Sequence, residues 1–176
     1  MAADSAEYAV TRLASHPRMS AITVRDGTAA DRDFVIDTAR RFAAFGPPPW
    51  RSALEVVTGE VRCLDDFFDG SPGGPGGAAL LVAEEPGRPV GFAFLEPAVD
   101  YFSGDTHGHV GMIAVTEAAE GRGAGAALMR AAEGWARSRG YAKLTLNVFE
   151  GNQRARQVYE RFGYQVETLR YVKVLD

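Results

Sequence analysis

The sequence predicts a mixed α/β domain in which a central sheet is flanked by helices. Residues 110–115 form an apolar run that is typical of a buried strand, and a glycine-rich segment and a helical pattern follow it. Strand and helix patterns alternate along the chain in the order β-α-α-β-β-β-α-β-α-β. The length of 176 residues suits one domain with a single sizeable core. We therefore expect one domain over residues 21–176, preceded by a weakly ordered leader over residues 1–20.

Composition excludes several classes of protein. The net charge of −4 argues against general nucleic-acid binding. The single cysteine, Cys63, excludes an internal disulfide framework and fits a reducing compartment; its apolar helical neighbours predict a packing role. Residues 1–20 lack the pattern of a secretory signal, and no apolar run reaches membrane-spanning length. We expect a cytoplasmic protein without nucleic-acid or membrane partners, and leave a homodimer open.

The first half of the chain predicts one strand and two helices. Residues 22–25 alternate as a strand, and Thr28 and Asp31 have the spacing of a capping box that opens a helix. Prolines at 47–49 end that helix, because proline cannot continue the hydrogen-bond ladder. A second helix is predicted over residues 51–68, followed by a flexible glycine- and proline-rich link. We expect one face of the second helix to carry Leu54, Val57, Val61 and Leu64.

The second half predicts strands around two further helices. Strands at 78–83 and 90–95 are joined by a turn at 85–88, and a polar loop is expected over residues 97–108. After the glycine-rich segment comes a helix that Gly140 ends, and then a strand at 143–148. The last helix starts at Gly151 or Asn152 and ends at Gly163, and residues 165–174 alternate as one or two final strands. The predicted buried residues of these two helices are Leu128, Ala132, Trp135 and Ala136 in the first, and Ala155, Val158, Tyr159 and Phe162 in the second.

The strand, glycine segment and helix around residues 110–129 predict a phosphate-binding site. Glycines let backbone N–H groups converge on one point, and a helix N-terminus adds partial positive charge. Gly121, Gly123 and Ala126 meet the loose dinucleotide pattern G-x-G-x-x-A. The first glycine, however, lies six residues past Val115, whereas a dinucleotide-binding turn follows its strand at once. A P-loop is excluded because no G-K-[ST] sequence is present.

The same stretch resembles the acetyl-CoA motif of the GNAT (Gcn5-related) N-acetyltransferases, which reads roughly [QR]-x-x-G-x-[GA] after a strand that ends in a small residue and valine. Ala114 and Val115 end the strand here. Glu120 departs from the family's usual Gln or Arg, and an acid beside a pyrophosphate weakens phosphate binding. The motif is filled by Glu120, Gly121, Arg122, Gly123, Ala124 and Gly125, with Ala126 next in the helix.

A second pair of motifs strengthens the resemblance. Asn152 to Ala155 matches the family's N-x-x-A, and Tyr159 to Tyr164 resembles its Y-x-x-x-G-F. The resemblance covers residues 22–175 and is specific over 109–164. It implies a mixed, mostly antiparallel sheet whose two central parallel strands, ending near Val115 and Val148, splay apart to hold acetyl-CoA as co-substrate.

The resemblance also implies roles for individual residues. Ile113 and Val115 would offer backbone contacts to the pantetheine arm, with the Ile113 N–H polarising the acetyl carbonyl. Tyr159 would protonate the departing thiolate, since a phenol with a reference pKa of about 10 is protonated at neutral pH. His109 would take the proton of the amine, with His107 and Glu96 as alternates. Asn152 would bind the cofactor arm, cap its helix, or do both.

The acceptor and the second class of function stay open at this point. The family implies a small-molecule or peptide amine as acceptor, selected by the first helices and the 97–108 loop. The alternative is a non-catalytic acyl-CoA sensor or partner-binding module on the same fold. His107 and His109 lack a third ligand, so no metal site is predicted. Arg122 could pair with a phosphate, whereas Arg154 and Arg156 are expected to be solvated surface charges.

Overall fold

The computed structural model describes residues 22–70 and 76–175. The predicted leader and residues 71–75 of the glycine-rich link lie outside the described residues. Within the part described, the sheet has five strands whose spatial order follows the chain. Each neighbouring pair is antiparallel except the last, which is parallel. The strands are β1 Thr23–Asp26, β2 Ala79–Glu85, β3 Arg88–Val99, β4 Thr106–Val115 and β5 Leu144–Leu146.

Four α-helices flank this sheet in the described part of the chain, and capping residues lie at their ends. Ser52 and Glu55 form a reciprocal box at the second helix: the Ser52 N–H donates to Glu55 Oε2 at 2.8 Å, and the Glu55 N–H donates to Ser52 Oγ at 3.1 Å. Past the third and fourth helices, Gly140 and Gly163 have φ of 73° and 85°, which favours glycine. The helices are α1 Arg32–Ala39, continued by a 3-10 helix Arg40–Ala44, α2 Ala53–Phe68, α3 Ala124–Ser138 and α4 Gln153–Arg161.

The core has one layer on each face of the sheet. Along β3, Phe92 and Phe94 pack toward α1 and α2, whereas Ala93 and Leu95 pack toward α3. This alternation is the period of two that places successive side chains of a strand on opposite faces. All four residues are fully buried, so β3 is the central strand of both layers. Cys63 packs in the α1–α2 layer, as its neighbours predicted.

Two of the predicted elements are corrected by the structure. The predicted polar loop over residues 97–108 is instead a β-hairpin, because β3 continues to Val99 and β4 begins at Thr106. Its short turn is held by Asp100, whose Oδ1 accepts from the N–H groups of Phe102 and Ser103 at 2.9 and 2.8 Å. In α2 the predicted face is partly wrong, since Leu54 is 75% exposed while Val56 is buried with Leu64. Apolar spacing gives the period of a helix but not which of two adjacent rows meets the sheet.

The prediction of final strands over residues 165–174 is also wrong for this structure. Residues 164–175 have no regular secondary structure. Their apolar side chains are exposed, Leu169 by 70% and Tyr171 by 89%. Alternation makes a segment compatible with a strand, but a strand also needs a partner edge. In residues 22–70 and 76–175, no helix combines the length and apolar character needed to cross a membrane.

Candidate active site

The parallel strand β5 ends while β4 continues along β3. Strands β4 and β5 pair only over three positions, with Gly108 opposite Leu144 and Val110 opposite Leu146. Beyond Val110, β4 runs on to Val115 beside β3 without β5. We call the resulting gap, bounded by residues 111–115 of β4, the splay. It corresponds to the opening that the resemblance to the GNAT family implied between the two parallel strands, although β5 is the edge strand of the described sheet.

One extra residue in β4 determines which groups line the splay. Leu95 lies opposite Val110 and Phe94 opposite Met112, so Gly111 has no partner on β3. This is a β-bulge, which reverses the alternation of every later residue in the strand. Val110 accordingly packs toward α3, whereas Met112, two residues later, packs toward α1 and α2.

The backbone groups of Ile113 and Val115 face the splay. The Thr116 N–H donates to the Val90 carbonyl at 2.8 Å, so Thr116 directs its backbone groups toward β3. Neighbouring residues of a strand direct theirs to opposite edges. Val115 and Ile113 therefore point theirs into the splay, as the strand edges of peptide-binding proteins do.

A glycine loop, residues 121–125, continues from this edge into α3. Gly121 and Gly123 have φ of 73° and 97°, and Gly123 is the N-cap of α3. A Cβ at either position would meet no atom within 4 Å, so the space above the loop is open. Several amides here have no hydrogen-bond acceptor among the described residues, and a helix N-terminus of this kind favours an anion. These amides belong to Gly121, Gly123, Ala124, Gly125 and Ala126.

Glu120, where the family usually has Gln or Arg, is neutralised by two arginines. Arg41 donates from Nη2 to Glu120 Oε1 at 2.5 Å, and Arg154 of α4 donates to Oε2. These hydrogen bonds, that of Arg154 above all, hold the pKa of the Glu120 carboxyl below its usual value. Two arginines thus accompany the single carboxylate of Glu120, so the local net charge beside the glycine loop is positive.

Arg41 also reaches the splay itself. Its Nη1 donates to the Val115 carbonyl oxygen at 2.6 Å. Nothing in the local sequence of the 3-10 helix singled this residue out. The only available signal was indirect: a Glu at position 120 beside a phosphate site requires a compensating cation.

The side chain of Arg122 is engaged away from the loop. Its Nη2 pairs with Glu85 Oε1 at 2.6 Å, and Glu85 also pairs with Arg88 at 3.1 Å. The Arg122 N–H donates to the Ala119 carbonyl at 3.2 Å. Both the guanidinium and the amide of Arg122 thus have partners within the protein.

Two histidines share one hydroxyl on the α1–α2 face. Thr145 Oγ1 lies 2.8 Å from His109 Nδ1 and 3.1 Å from His107 Nε2. The Asn147 amide nitrogen lies 3.4 Å from His109 Nε2, and as oriented it can only donate. This orientation of the amide favours the tautomer in which Nε2 accepts and Nδ1 donates to Thr145. Burial first, and the neighbouring His107 second, lower the pKa of His109.

Glu96 places a carboxyl group at the start of the splay. Its Oε1 lies 3.3 Å from the position that a Cβ of Gly111 would occupy, and Gly111 is exposed. No described residue donates a hydrogen bond to this carboxyl group, and burial raises its pKa. Cys63, by contrast, is a poor nucleophile, because burial raises the pKa of its thiol to about 11.

Tyr159 and Asn152 lie on α4, whose predicted apolar stripe is half-buried. The Tyr159 hydroxyl forms no hydrogen bond with any described residue, and burial raises its pKa. Its ring lies 6.0 Å from that of Tyr164, centroid to centroid. Asn152 caps α4, since its Oδ1 accepts from the Ala155 N–H at 3.1 Å. Direct contacts join the splay, Glu120 and Arg154; none of them includes Tyr159 or His109.

The described residues hold no group of three His, Cys, Asp or Glu side chains placed to bind a metal.

A mostly antiparallel sheet whose one parallel pair opens beside a glycine loop is the fold of an N-acetyltransferase. The model of the acetyltransferase (GNAT) family matches residues 49–164, well over half of the chain. The protein belongs to the GNAT family.

Individual relatives agree with this assignment. The uncharacterized N-acetyltransferase YhfO of Bacillus subtilis (strain 168) is 34% identical over 91 residues, which are 52% of this chain and 61% of YhfO. A mycothiol acetyltransferase of Amycolatopsis mediterranei (strain U-32) is 36% identical over 137 residues, 76% of this chain and 42% of that protein. The chain thus matches less than two thirds of the length of either relative.

A solved structure shares the fold. The GCN5-related N-acetyltransferase of Ralstonia eutropha JMP134 superimposes with a TM-score of 0.68 at 22% identity, covering 88% of this chain and 99% of the other. The arrangement of strands and helices described above is therefore the fold of a known N-acetyltransferase.

Proposed function

We propose that this chain transfers an acetyl group from acetyl-CoA to a primary amine by direct attack on the thioester. The observation that carries the proposal is the pair of backbone donor sets, one in the splay and one in the glycine loop, that lie on either side of the short 3-10 helix Glu117–Ala119. Backbone groups of Ile113 and Val115 open into the splay, and the unpaired amides begin at Gly121. An extended amide-bearing arm followed by a diphosphate matches that order of groups.

The binding roles follow from which groups are free. The arm would lie along Ile113, Ala114 and Val115, and the diphosphate would lie on the loop amides. Glu120 would contribute to diphosphate binding indirectly, by holding Arg41 and Arg154 beside the loop. Arg122 would contribute by stabilising the conformation of the loop through its ion pair with Glu85. Asn152 would contribute its free amide nitrogen while its oxygen caps α4. The diphosphate amides would be those of Gly121, Gly123, Ala124, Gly125 and Ala126.

The chemistry needs three groups on the protein. The Ile113 N–H would polarise the acetyl carbonyl, stabilising the negative charge that develops on its oxygen. His109 would accept a proton from the amine at Nε2, directly or through a water molecule. As the amine nitrogen bonds to the carbonyl carbon and the carbon–sulfur bond breaks, Tyr159 would give its proton to the sulfur. The products are an amide and free CoA thiol.

The environments of these groups suit the proposed roles. Burial lowers the pKa of His109, so the imidazole is neutral at neutral pH and able to accept a proton. Burial raises the pKa of Tyr159, so the phenol keeps its proton until the thiolate forms. Glu96 is the alternate base, with its carboxyl group beside Gly111. Because Cys63 is packed in the core, thiol catalysis has no part in the proposal.

The acceptor is proposed to be a small-molecule or peptide amine in the cytoplasm, a compartment that suits a single unpaired cysteine. Its approach would be from the α1–α2 face, where His109, Glu96 and Gly111 meet. The α1–α2 connection and the β3–β4 hairpin border that face and would select among amines.

Two matched glycine variants test the cofactor site. Gly125 and Gly134 both lie on α3 without positive φ, and a Cβ at either would meet no atom closer than 4.0 Å. Gly125→Val puts a side chain between the loop and Val115, so acetyl-CoA affinity measured by calorimetry should fall at least about tenfold, as expected from blocked amide contacts. Gly134→Val should leave it unchanged.

The same proteins decide whether the chain is an enzyme. With a panel of amines, release of free thiol from acetyl-CoA should depend on the amine and fall in Gly125→Val. Equal acetyl-CoA affinity in both glycine variants would remove the proposed site. Tight acetyl-CoA binding without thiol release for any amine would instead support the non-catalytic sensor.

A further inference from the structure

Arg41 is held in place by groups from three parts of the molecule. Its guanidinium donates to the Val115 carbonyl at 2.6 Å and to Glu120 Oε1 at 2.5 Å. Its Cζ also lies 5.8 Å from the centre of the Phe45 ring. The side chain is only 25% exposed. In both hydrogen bonds the donor is the charged guanidinium, and in the bond to Glu120 the acceptor is charged as well. Such charge-assisted bonds are stronger than those between neutral groups.

The contact with Val115 lies where the acyl donor would bind. Val115 directs its carbonyl into the splay, and Arg41 now lies against that oxygen. An arm that pairs with β4 in the manner of a strand needs the side of the oxygen that faces the splay. A donor bound along this edge therefore competes with Arg41 for the Val115 carbonyl oxygen.

Leaving this oxygen is costly for Arg41 unless the guanidinium finds another partner. Glu120 is already shared with Arg154, and Glu85, the acid that pairs with Arg122 of the loop, also pairs with Arg88. A diphosphate on the loop amides would supply the missing partner, because guanidinium and phosphate form strong charge-assisted hydrogen bonds. A donor that carries the arm without the diphosphate supplies none.

We propose that Arg41 is a specificity-determining residue that makes this site select acyl donors carrying a diphosphate next to the pantetheine arm, and reject thioesters that carry the arm alone. The proposal rests on the acetyl-CoA site described under the proposed function. It adds a role for a residue outside the strand–loop–helix motif. Glu120, the departure from the usual family residue, anchors Arg41 at the boundary between arm and diphosphate.

The test compares acetyl-CoA with S-acetylpantetheine, which lacks the nucleotide and its phosphates. Arg41→Met keeps the length and apolar stem of the side chain but removes the guanidinium. Binding of S-acetylpantetheine should tighten about tenfold, because its competitor for the Val115 carbonyl is gone. Binding of acetyl-CoA should weaken, because the diphosphate loses a cation, so the preference for acetyl-CoA falls by more than tenfold.

Two further variants serve as controls. Arg40→Met removes a neighbouring charge of the same 3-10 helix that has no ion pair among the described residues, and it should leave both affinities unchanged. Arg41→Lys keeps a charge but cannot bridge Val115 and Glu120 at once, so its preference should lie between those of the parent and Arg41→Met. Melting temperatures show that each variant is folded.

Three outcomes would overturn the proposal. One is an equal loss of affinity for both donors in Arg41→Met, which would make Arg41 an ordinary binding residue. Another is no change for either donor in Arg41→Met and Arg41→Lys. The third is that the parent protein binds neither donor. This result would refute the proposed cofactor site itself, and it is recognised from the parent protein alone, before any variant is measured.

Discussion

Glu96 on β3 lies directly opposite His109 on β4. Residues opposite each other in an antiparallel pair place their side chains on the same face of the sheet. Both candidate bases therefore face the α1–α2 side at the point where β4 bulges and the splay opens. Burial shifts the pKa of the two groups toward each other, that of His109 downward and that of Glu96 upward.

The first prediction concerns which group, His109 or Glu96, is the base in acetyl transfer. Because their pKa values shift toward each other, the pH dependence must be compared between variants of the two residues. A base must be unprotonated, so kcat/KM should fall as pH drops through its pKa. For His109 this limb lies below the ordinary histidine value of 6.5, and for Glu96 above the ordinary glutamate value of 4.5. We expect His109→Gln to lower kcat/KM by about 10²–10⁴-fold and to abolish the acidic limb.

Glu96→Gln is the matched control for that experiment. It should retain the acidic limb and most of the rate, because the carboxyl group is not the base in the proposed mechanism. The reverse result, a limb that survives His109→Gln and disappears in Glu96→Gln, would transfer the role to the carboxyl group beside Gly111. Loss of rate in His109→Gln with an unchanged limb would limit His109 to positioning.

A second prediction concerns stability at acid pH. Asp31 is buried, and its carboxylate accepts from Arg25 at 2.7 and 2.8 Å and from the Thr28 N–H at 2.8 Å. The hydrogen bonds from Arg25, more than the others, lower the pKa of Asp31 to about 2. A lowered pKa in the folded state stabilises the protein above the unfolded value of about 4, and that contribution disappears as pH falls through about 2.

Asp31→Asn should therefore reduce the free energy of unfolding by about 1–2 kcal/mol at pH 7. This value is smaller than the full pKa shift would give, because the Arg25 side chain is 38% exposed and solvent screens the ion pair. Urea denaturation at pH 7 and at successive values down to pH 2 should show the difference from the parent shrinking between about pH 4 and pH 2. Asp33→Asn removes an exposed acid from the first turn of α1, just after Asp31, and should show no such difference. A constant Asp31→Asn deficit across that range would mean that charge is not its cause.

The sequence predicted the local elements around the candidate site well and the contacts between distant segments poorly. The strand at β4, the glycine loop and α3 have signals within about twenty residues: an apolar run, glycines that adopt positive φ, and a helical stripe. The contact of Arg41 with Glu120 joins residues 79 apart. Pairing across such a distance depends on the packing of α1 against the sheet, which periodicity does not encode.

The bulge at Gly111 was missed for a related reason. Glycine permits a bulge but also occurs in regular strands, so the residue alone does not reveal it. Its consequence is large, since it decides that Ile113 and Val115, rather than Met112 and Ala114, open into the splay. The resemblance to the GNAT family implied those two residues where residue patterns alone could not.

The last prediction concerns Tyr159 and tests the proposed mechanism most directly. Its hydroxyl forms no hydrogen bond with a described residue, and burial raises its pKa, so it is a protonated donor without a structural partner. Tyr159→Phe keeps the ring and its packing against Tyr164. We therefore expect acetyl-CoA affinity and melting temperature to stay near the parent values while kcat falls by about 10²–10⁴-fold.

Tyr164→Phe is the matched control, because Tyr164 also has a buried hydroxyl without a partner among the described residues and lies five positions along the chain. Burial raises the pKa of Tyr164 to about 12, so Tyr164 and Tyr159 are both protonated at neutral pH and differ in their position in the structure. Tyr164→Phe should retain the parent kcat. The Tyr159→Phe deficit should shrink with an acetyl thioester whose leaving group has a low pKa, because such a thiolate departs without a proton. Parental turnover by Tyr159→Phe with a good acceptor amine would show instead that Tyr159 is structural and that solvent protonates the sulfur.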